Sequence, residues 1–208
     1  MAGAGISTDP AEAESSPTSE QIIDATLRLL ETRNLREISV ADILTESGFA
    51  RGTFYLWFDN KYDAAGKAYR RSSIGVEAAA RSLFASVDDG VDHDEARARI
   101  DRVFAELVAS WRDYGHVLRA VNDSWRTEPS MANHWVPAYN WVQHSTAKLI
   151  AGVRERTVST GRDRVLASAL INMNEHTLYQ ASLGVDFTLE AIQPVLADVW
   201  FETIFANV

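Results

Sequence analysis

Almost nowhere in this chain of 208 residues do apolar side chains alternate at period two; they recur at three and four residues instead, the spacing that lines one face of a helix. A sheet has no pattern to build on, so the fold class is all-α. Ile23, Leu27 and Leu30, with Ile22, Ala25 and Leu29 beside them, form the first such face. Thr18 or Ser19 is placed to cap it, Gln21 follows Thr18 by three residues, and the helix should end near Asn34. Two short elements follow: Ser39 can cap a helix from Val40 to about Ser47, Gly48 punctuates, and a second helix runs from Arg51 to Phe58. Asp59 and Asn60 supply another cap. Lys61 then opens a longer helix that can reach about Ser86, with Gly66 and Gly75 inside it. Further helices are expected at 95–112, 116–125, 130–157, 162–184 and 189–206, separated at Gly115, Glu128-Pro129, Gly161 and Gly184, with Pro194 near the start of the last. Residues 1–17, with little but Ala, Gly, Ser, Pro and acids, read as a disordered tail.

Composition removes several classes of function. With no cysteine there is no disulfide, thiolate nucleophile or Cys-ligated metal. The longest apolar run is Phe54 to Phe58, far short of the roughly 20 residues a membrane span needs. No membrane partner is expected, and the chain reads as cytoplasmic. The net charge of −9 argues at first against generic phosphate binding. Divided along the chain, however, it belongs elsewhere: residues 19–71 hold eight acids and eight bases, whereas residues 72–208 hold 18 acids and 12 bases. The region of the two short helices is neutral and suits a reader that depends on a specific site.

Those two helices have the layout of a helix-turn-helix. Val40, Ile43 and Leu44 are placed to pack against Phe54, Trp57 and Phe58 across the Gly48 turn. The opposite face offers Arg51 for a guanine edge or phosphate, Thr53 for a phosphate or thymine methyl, Gly52 for close approach, and Tyr55 and Lys61 for phosphates. Ala50-Arg51-Gly52-Thr53-Phe54-Tyr55-Leu56-Trp57-Phe58-Asp59-Asn60-Lys61 closely resembles the recognition-helix signature of the TetR family of bacterial transcription regulators. Ala50 stands where a serine cap is common, and Trp57 where Tyr or His is usual. The resemblance implies a DNA-binding domain over residues 18–65 with Ser39, Ala50, Arg51, Gly52, Thr53, Tyr55 and Lys61 at the duplex. It also implies an effector and dimerisation domain over residues 66–208.

Thirteen of the 20 aromatic residues lie beyond residue 71, five tryptophans among them. Trp111, Trp125, Trp135, Tyr139, Trp141, Tyr179 and Trp200 fall on different expected helices, so several can converge on one cavity; ordinary core packing is the competing reading. Asn172, Asn174, Glu175, His176 and Thr177 cluster in one otherwise apolar helix, and a buried amide there needs a partner. The stretches 171–179 and 200–205 resemble the ligand and dimer domain of the ethionamide-resistance-regulator branch of the same family. That resemblance implies a tunnel for elongated apolar ligands lined by Leu107, Trp111, Trp141, Asn174, Tyr179 and Trp200, with Asn174 bonding a ligand carbonyl. Leu107 replaces an aromatic there; a second tunnel asparagine aligns with Ile171, Asn172 being one place off. It also implies a homodimer through the last two helices, with Leu166, Leu170, Leu178, Val195, Val199 and Phe205 as candidate contacts.

The expected function is therefore a homodimeric repressor on a palindromic operator of double-stranded DNA, released by a small hydrophobic effector, with coupling through the helix that begins at Lys61. No cofactor is expected. Asp88, Asp89, Asp92, His93, Asp94 and Glu95 lack EF-hand spacing and read as solvated loop and helix-start charges rather than a metal site. Glu175 and His176 are adjacent on a helix and point about 100° apart, and no hydrolase or phosphate-loop motif occurs. The chain reads as a non-enzyme, the rivals being an enzyme in the C-terminal helices or a protein-binding adaptor.

Overall fold

The computed structural model describes residues 16–85, 92–185 and 187–205, and among them it contains nine helices and no strand. These are α1 (Pro17–Thr32), α2 (Val40–Ser47), α3 (Arg51–Trp57), α4 (Lys61–Ser72), α5 (Ile74–Ala85), α6 (His93–Ser124), α7 (Pro129–Val153), α8 (Gly161–Ser182) and α9 (Leu189–Phe205). The all-α expectation holds. The expected tail lies outside the described residues up to position 15, while Ser16 and Pro17 belong to α1.

Local chemistry sets most helix ends. Ser16, rather than Thr18 or Ser19, caps α1: its hydroxyl accepts the Thr18 N–H, and Ser19 closes the reciprocal box with Pro17 in the first turn. Ser39 and Asp42 form the same box on α2, and Gly48 ends that helix at φ 75°, a left-handed conformation suited to glycine. Ala50 gives α3 no side-chain cap. Asn60 caps α4 by accepting the Tyr62 and Asp63 N–H groups.

Two expected boundaries move. The single helix from Lys61 breaks at Ser73, whose N–H is shared by the Tyr69 and Arg70 carbonyls while the Ser72 and Ser73 hydroxyls also turn onto Tyr69. Conversely, the break at Gly115 is only a kink. Helix α6 runs through it, with Tyr114 alone off helical geometry (φ −128°, ψ 19°). Pro137 and Pro194 lie inside α7 and α9.

Two cores result. Ile22, Ile43, Phe54 and Phe58 are buried in the first, together with Ala64 and Ala68 of α4, Val117 and Val121 of α6 and Met131 of α7. The second holds Ile100, Phe104, Trp111, Ile150, Leu178 and Trp200. Leu118 packs against both. Helix α4 thus belongs to the N-terminal core along its whole length and packs on α1, α6 and α7, so residue 65 falls inside a packed helix rather than at a linker.

Candidate functional site

The helix-turn-helix interior forms as its sequence pattern requires. Ile43, Phe54 and Phe58 are buried, with Val40, Leu44 and Trp57 packed at the margin. The other face of α3 presents Arg51, Gly52 and Tyr55 to solvent, with Thr53 half-buried. The Arg51 guanidinium lies 5.7 Å from the Tyr55 ring centre, and open space surrounds the position of a Gly52 Cβ. Ser39 is exposed, yet its hydroxyl is engaged with Asp42, whose carboxyl those bonds and Arg33 hold well below the usual range. Lys61 departs from the expectation. Its ammonium donates to the carbonyls of Leu35, Arg36 and Ile38 at 2.8, 3.0 and 2.7 Å, so its three donors tie α4 to the α1–α2 turn instead of pointing outward.

Behind this unit lies a cavity of about 890 Å³ between α1, α4, α5, α6, α7, α8 and α9. Five of the six tunnel candidates line it: Leu107, Trp111, Trp141, Asn174 and Trp200. Tyr179 does not; its hydroxyl donates to Asp123 at 3.0 Å and its ring stands edge-on to Trp111. Buried Asn174 accepts the Trp200 indole N–H on Oδ1 at 3.0 Å. Its amide NH2 therefore stays available to an acceptor. Ile171 lines the cavity, whereas Asn172 is exposed and donates to the Tyr139 hydroxyl. Phe84, Phe104, Tyr69 and His134 also line it. Sequence reasoning missed these four because core aromatics and lining aromatics share one helical period.

A polar seam joins the cavity to the helix-turn-helix. His134, on α7, lines the cavity and bonds Asp63 of α4 through Nε2 at 2.8 Å. Burial works against the Asp63 charge, yet His134, Lys67 and the Asp59 N–H together hold its carboxyl below the ordinary value. Beside it Asn60 donates to Ser130 at 2.7 Å, and Lys67 donates to the Trp57 carbonyl at the end of α3 at 2.7 Å. Gly66 makes the approach possible: a Cβ there would lie 2.1 Å from His134 Cδ2. A glycine inside a helix was the one sequence signal of this contact.

Three of the six candidate dimer residues face inward. Leu170, Leu178 and Phe205 are buried in the second core, because each lies on the stripe of α8 or α9 that packs on the chain's own helices. Val195 is exposed, Leu166 and Val199 half-buried, and Val165, not singled out before, is 70% exposed. Of the acidic loop, Asp88 and Asp89 lie outside the described residues, while Asp92 caps α6 by accepting the Asp94 N–H. No group of three or more potential metal-binding side chains occurs among the described residues, and no helix there is long and apolar enough to cross a membrane.

A short-helix reading head joined to a cavity-bearing helical body defines a class, the one-component DNA-binding regulator. Comparison with known proteins gives the family. Residues 22–63 match the family described as bacterial regulatory proteins, tetR family, and residues 100–206 match that of the transcriptional regulator EthR, C-terminal domain. The chain belongs to the TetR family, with an EthR-type C-terminal domain. It is 27% identical over 195 residues to the HTH-type transcriptional regulator EthR of Mycolicibacterium smegmatis, covering 89% of this chain and 85% of that one. With EthR of Mycobacterium tuberculosis it shares 29% over 184 residues, 86% and 83% of the two chains. Among solved structures, the fold is shared with a TetR-family regulator of Syntrophomonas wolfei (TM-score 0.65, 14% identity, 90% of this chain and 94% of that one). It is shared also with FadR of Bacillus subtilis in complex with stearoyl-CoA (TM-score 0.63, 14% identity, 89% and 98%). The chain is a transcription regulator and not an enzyme.

Proposed function

We propose that the chain is a homodimeric repressor that reads a palindromic operator with α3 and leaves it when a largely apolar effector fills the cavity. The observation that carries this reading is His134, which touches both the cavity and α4, the helix that follows the recognition helix. An occupant that displaces α7 or the His134 ring drags Asp63, and the Lys67 bond passes the shift to the end of α3. DNA affinity then falls by the effector's differential affinity for the two states. Arg51, Gly52, Thr53 and Tyr55 meet the duplex by side chain or close approach. Ser39 and Ala50 flank them, and Lys61 contributes its backbone N–H and the anchoring of α4.

The effector's shape follows from the lining. Leu107, Trp111, Trp141 and Trp200 take an elongated apolar body, as the stearoyl-CoA of the Bacillus subtilis FadR structure illustrates for that protein, and the Asn174 amide donates to a carbonyl. The mate subunit docks on Leu166, Val195 and Val199, extended by Val165, with Leu170, Leu178 and Phe205 supporting that face from within. Paired recognition helices then read half-sites about 34–36 Å apart or a multiple of it.

The test is titration of a fluorescent duplex from the region upstream of the chain's own gene, against a scrambled duplex, at several salt concentrations. The proposal expects a selective complex of two chains per site that weakens steeply with salt. Equal affinity for both duplexes would overturn it.

A further inference from the structure

We propose that the cavity holds a cation-binding subsite centred on Glu175, which pairs with the protonated amine of an otherwise apolar effector. This rests on the reading of the cavity as the effector site and adds the effector's charge to it.

The carboxyl of Glu175 is the titratable group of the cavity that no partner among the described residues engages. Glu20 is paired with Arg71, Glu77 with Arg81, and Lys67 and His134 with Asp63. Each of these lines the cavity except Asp63, and each is satisfied within the chain. Glu175 also lines it, yet makes no hydrogen bond or ion pair among the described residues. The charged and titratable groups that act on it are the Arg126 guanidinium, in the turn between α6 and α7, and the Tyr69 phenol of α4. Neither bonds it. Arg126 is stacked on the Trp125 ring, 4.3 Å from its centre.

Glu175 shares its cavity with aromatic rings and acts electrostatically on one of them, the Tyr69 phenol. Tyr69, Trp135 and Tyr139 line the same cavity, with Trp135 ring centres 5.6 Å from Tyr69 and 6.4 Å from Tyr139. A carboxylate in a cavity with such rings suits an ammonium, because ring faces attract the cation while the carboxylate supplies the counter-charge. A carbonyl ligand finds a donor in the Asn174 amide and has no need of a counter-charge. Burial pushes the Glu175 carboxyl up to about 8, so at neutral pH it carries its proton. On uptake of an ammonium the carboxyl O–H breaks, its proton passes to buffer, and the carboxylate pairs with the ligand.

The test uses two probes of the same shape, phenylbutylamine and phenylbutanol, titrated calorimetrically into the full chain at pH 7 in two buffers of different ionisation enthalpy. The proposal expects the amine to bind at least about tenfold more tightly than the alcohol and to release close to one proton per ligand, the alcohol releasing none. In Glu175→Gln the preference should fall to within about twofold. An alcohol that binds as well as the amine, or an amine that binds without proton release in the wild-type chain, overturns the subsite and leaves the effector cavity standing. Failure of both probes to bind at millimolar concentration overturns the cavity reading and the subsite together. The proton count is taken on the wild-type chain, so it decides even if the variant does not fold.

Discussion

The two halves of the molecule spend their polar groups in opposite ways. In the helix-turn-helix nearly every polar group close to the backbone is committed: Ser39 to Asp42, Asn60 to the start of α4, Lys61 to three carbonyls. What remains free is a short exposed row, Arg51, Gly52 and Tyr55. The body keeps its free groups inside, with an amide NH2 on Asn174 and a carboxyl on Glu175 facing a cavity of about 890 Å³. A rigid head with reactive groups outside suits a ligand as stiff as a duplex. An interior with unsatisfied groups suits a small molecule that must be desolvated to enter.

That contrast can be broken from either side. The largest effect should come from Arg51→Ala, which removes a free group of the head without touching its packing. Loss of about 1–3 kcal/mol per half-site is expected, with dimerisation and thermal stability unchanged; retained selectivity in the duplex titration would place the reading residues elsewhere. Next is Glu175→Gln, read as stability against pH. The carboxyl keeps its proton up to about 8 in the folded chain, against an ordinary 4.5. Below about pH 4.5 both states are protonated and the group contributes nothing. Between the two values the unfolded chain releases the proton first, so the wild type loses stability as pH rises, and above about 8 the whole penalty applies. Thermal melts of the variant should match wild type near pH 4.5 and exceed it by about 2–4 kcal/mol at pH 9. A constant difference would show that Glu175 is solvated.

Lys61→Met asks whether the head is built rigidly. Three carbonyls at the α1–α2 turn lose their donor, and denaturant melts should show a loss of about 1–3 kcal/mol. An unchanged midpoint would return Lys61 to the role of a free phosphate contact. Smallest is Asn174→Leu, which should weaken a carbonyl-bearing ligand by about 1–2 kcal/mol. It also strands the Trp200 N–H, so the melt should shift by a similar amount; if only the melt moves, the amide is structural.

The head was legible in the sequence because its determinants are local: Ser39, Gly48 and Asn60 act within four residues of themselves. The body was less so. Helix α6 runs past Gly115 because tertiary packing on both sides outweighs one glycine, and the break at Ser73 falls two residues before Gly75, the one glycine near it. Half the dimer candidates face inward because an apolar stripe does not say which neighbour covers it. Five of the six tunnel candidates, positions the family resemblance supplied, line the cavity. The seam was not legible, because His134 and Asp63 meet across 71 residues.

In the proposed mechanism the seam couples head and body, and Gly66 is where an added side chain would meet the His134 ring. Gly66→Ala puts a methyl where the His134 ring lies and leaves the reading row, the cavity lining and the dimer face unchanged in composition. Operator affinity of this variant, measured by anisotropy on the selective duplex beside a check that it remains a dimer, is the direct test. The coupled account predicts a change of at least about tenfold, or about 1.4 kcal/mol. A folded dimeric variant that binds the operator as wild type does would contradict it.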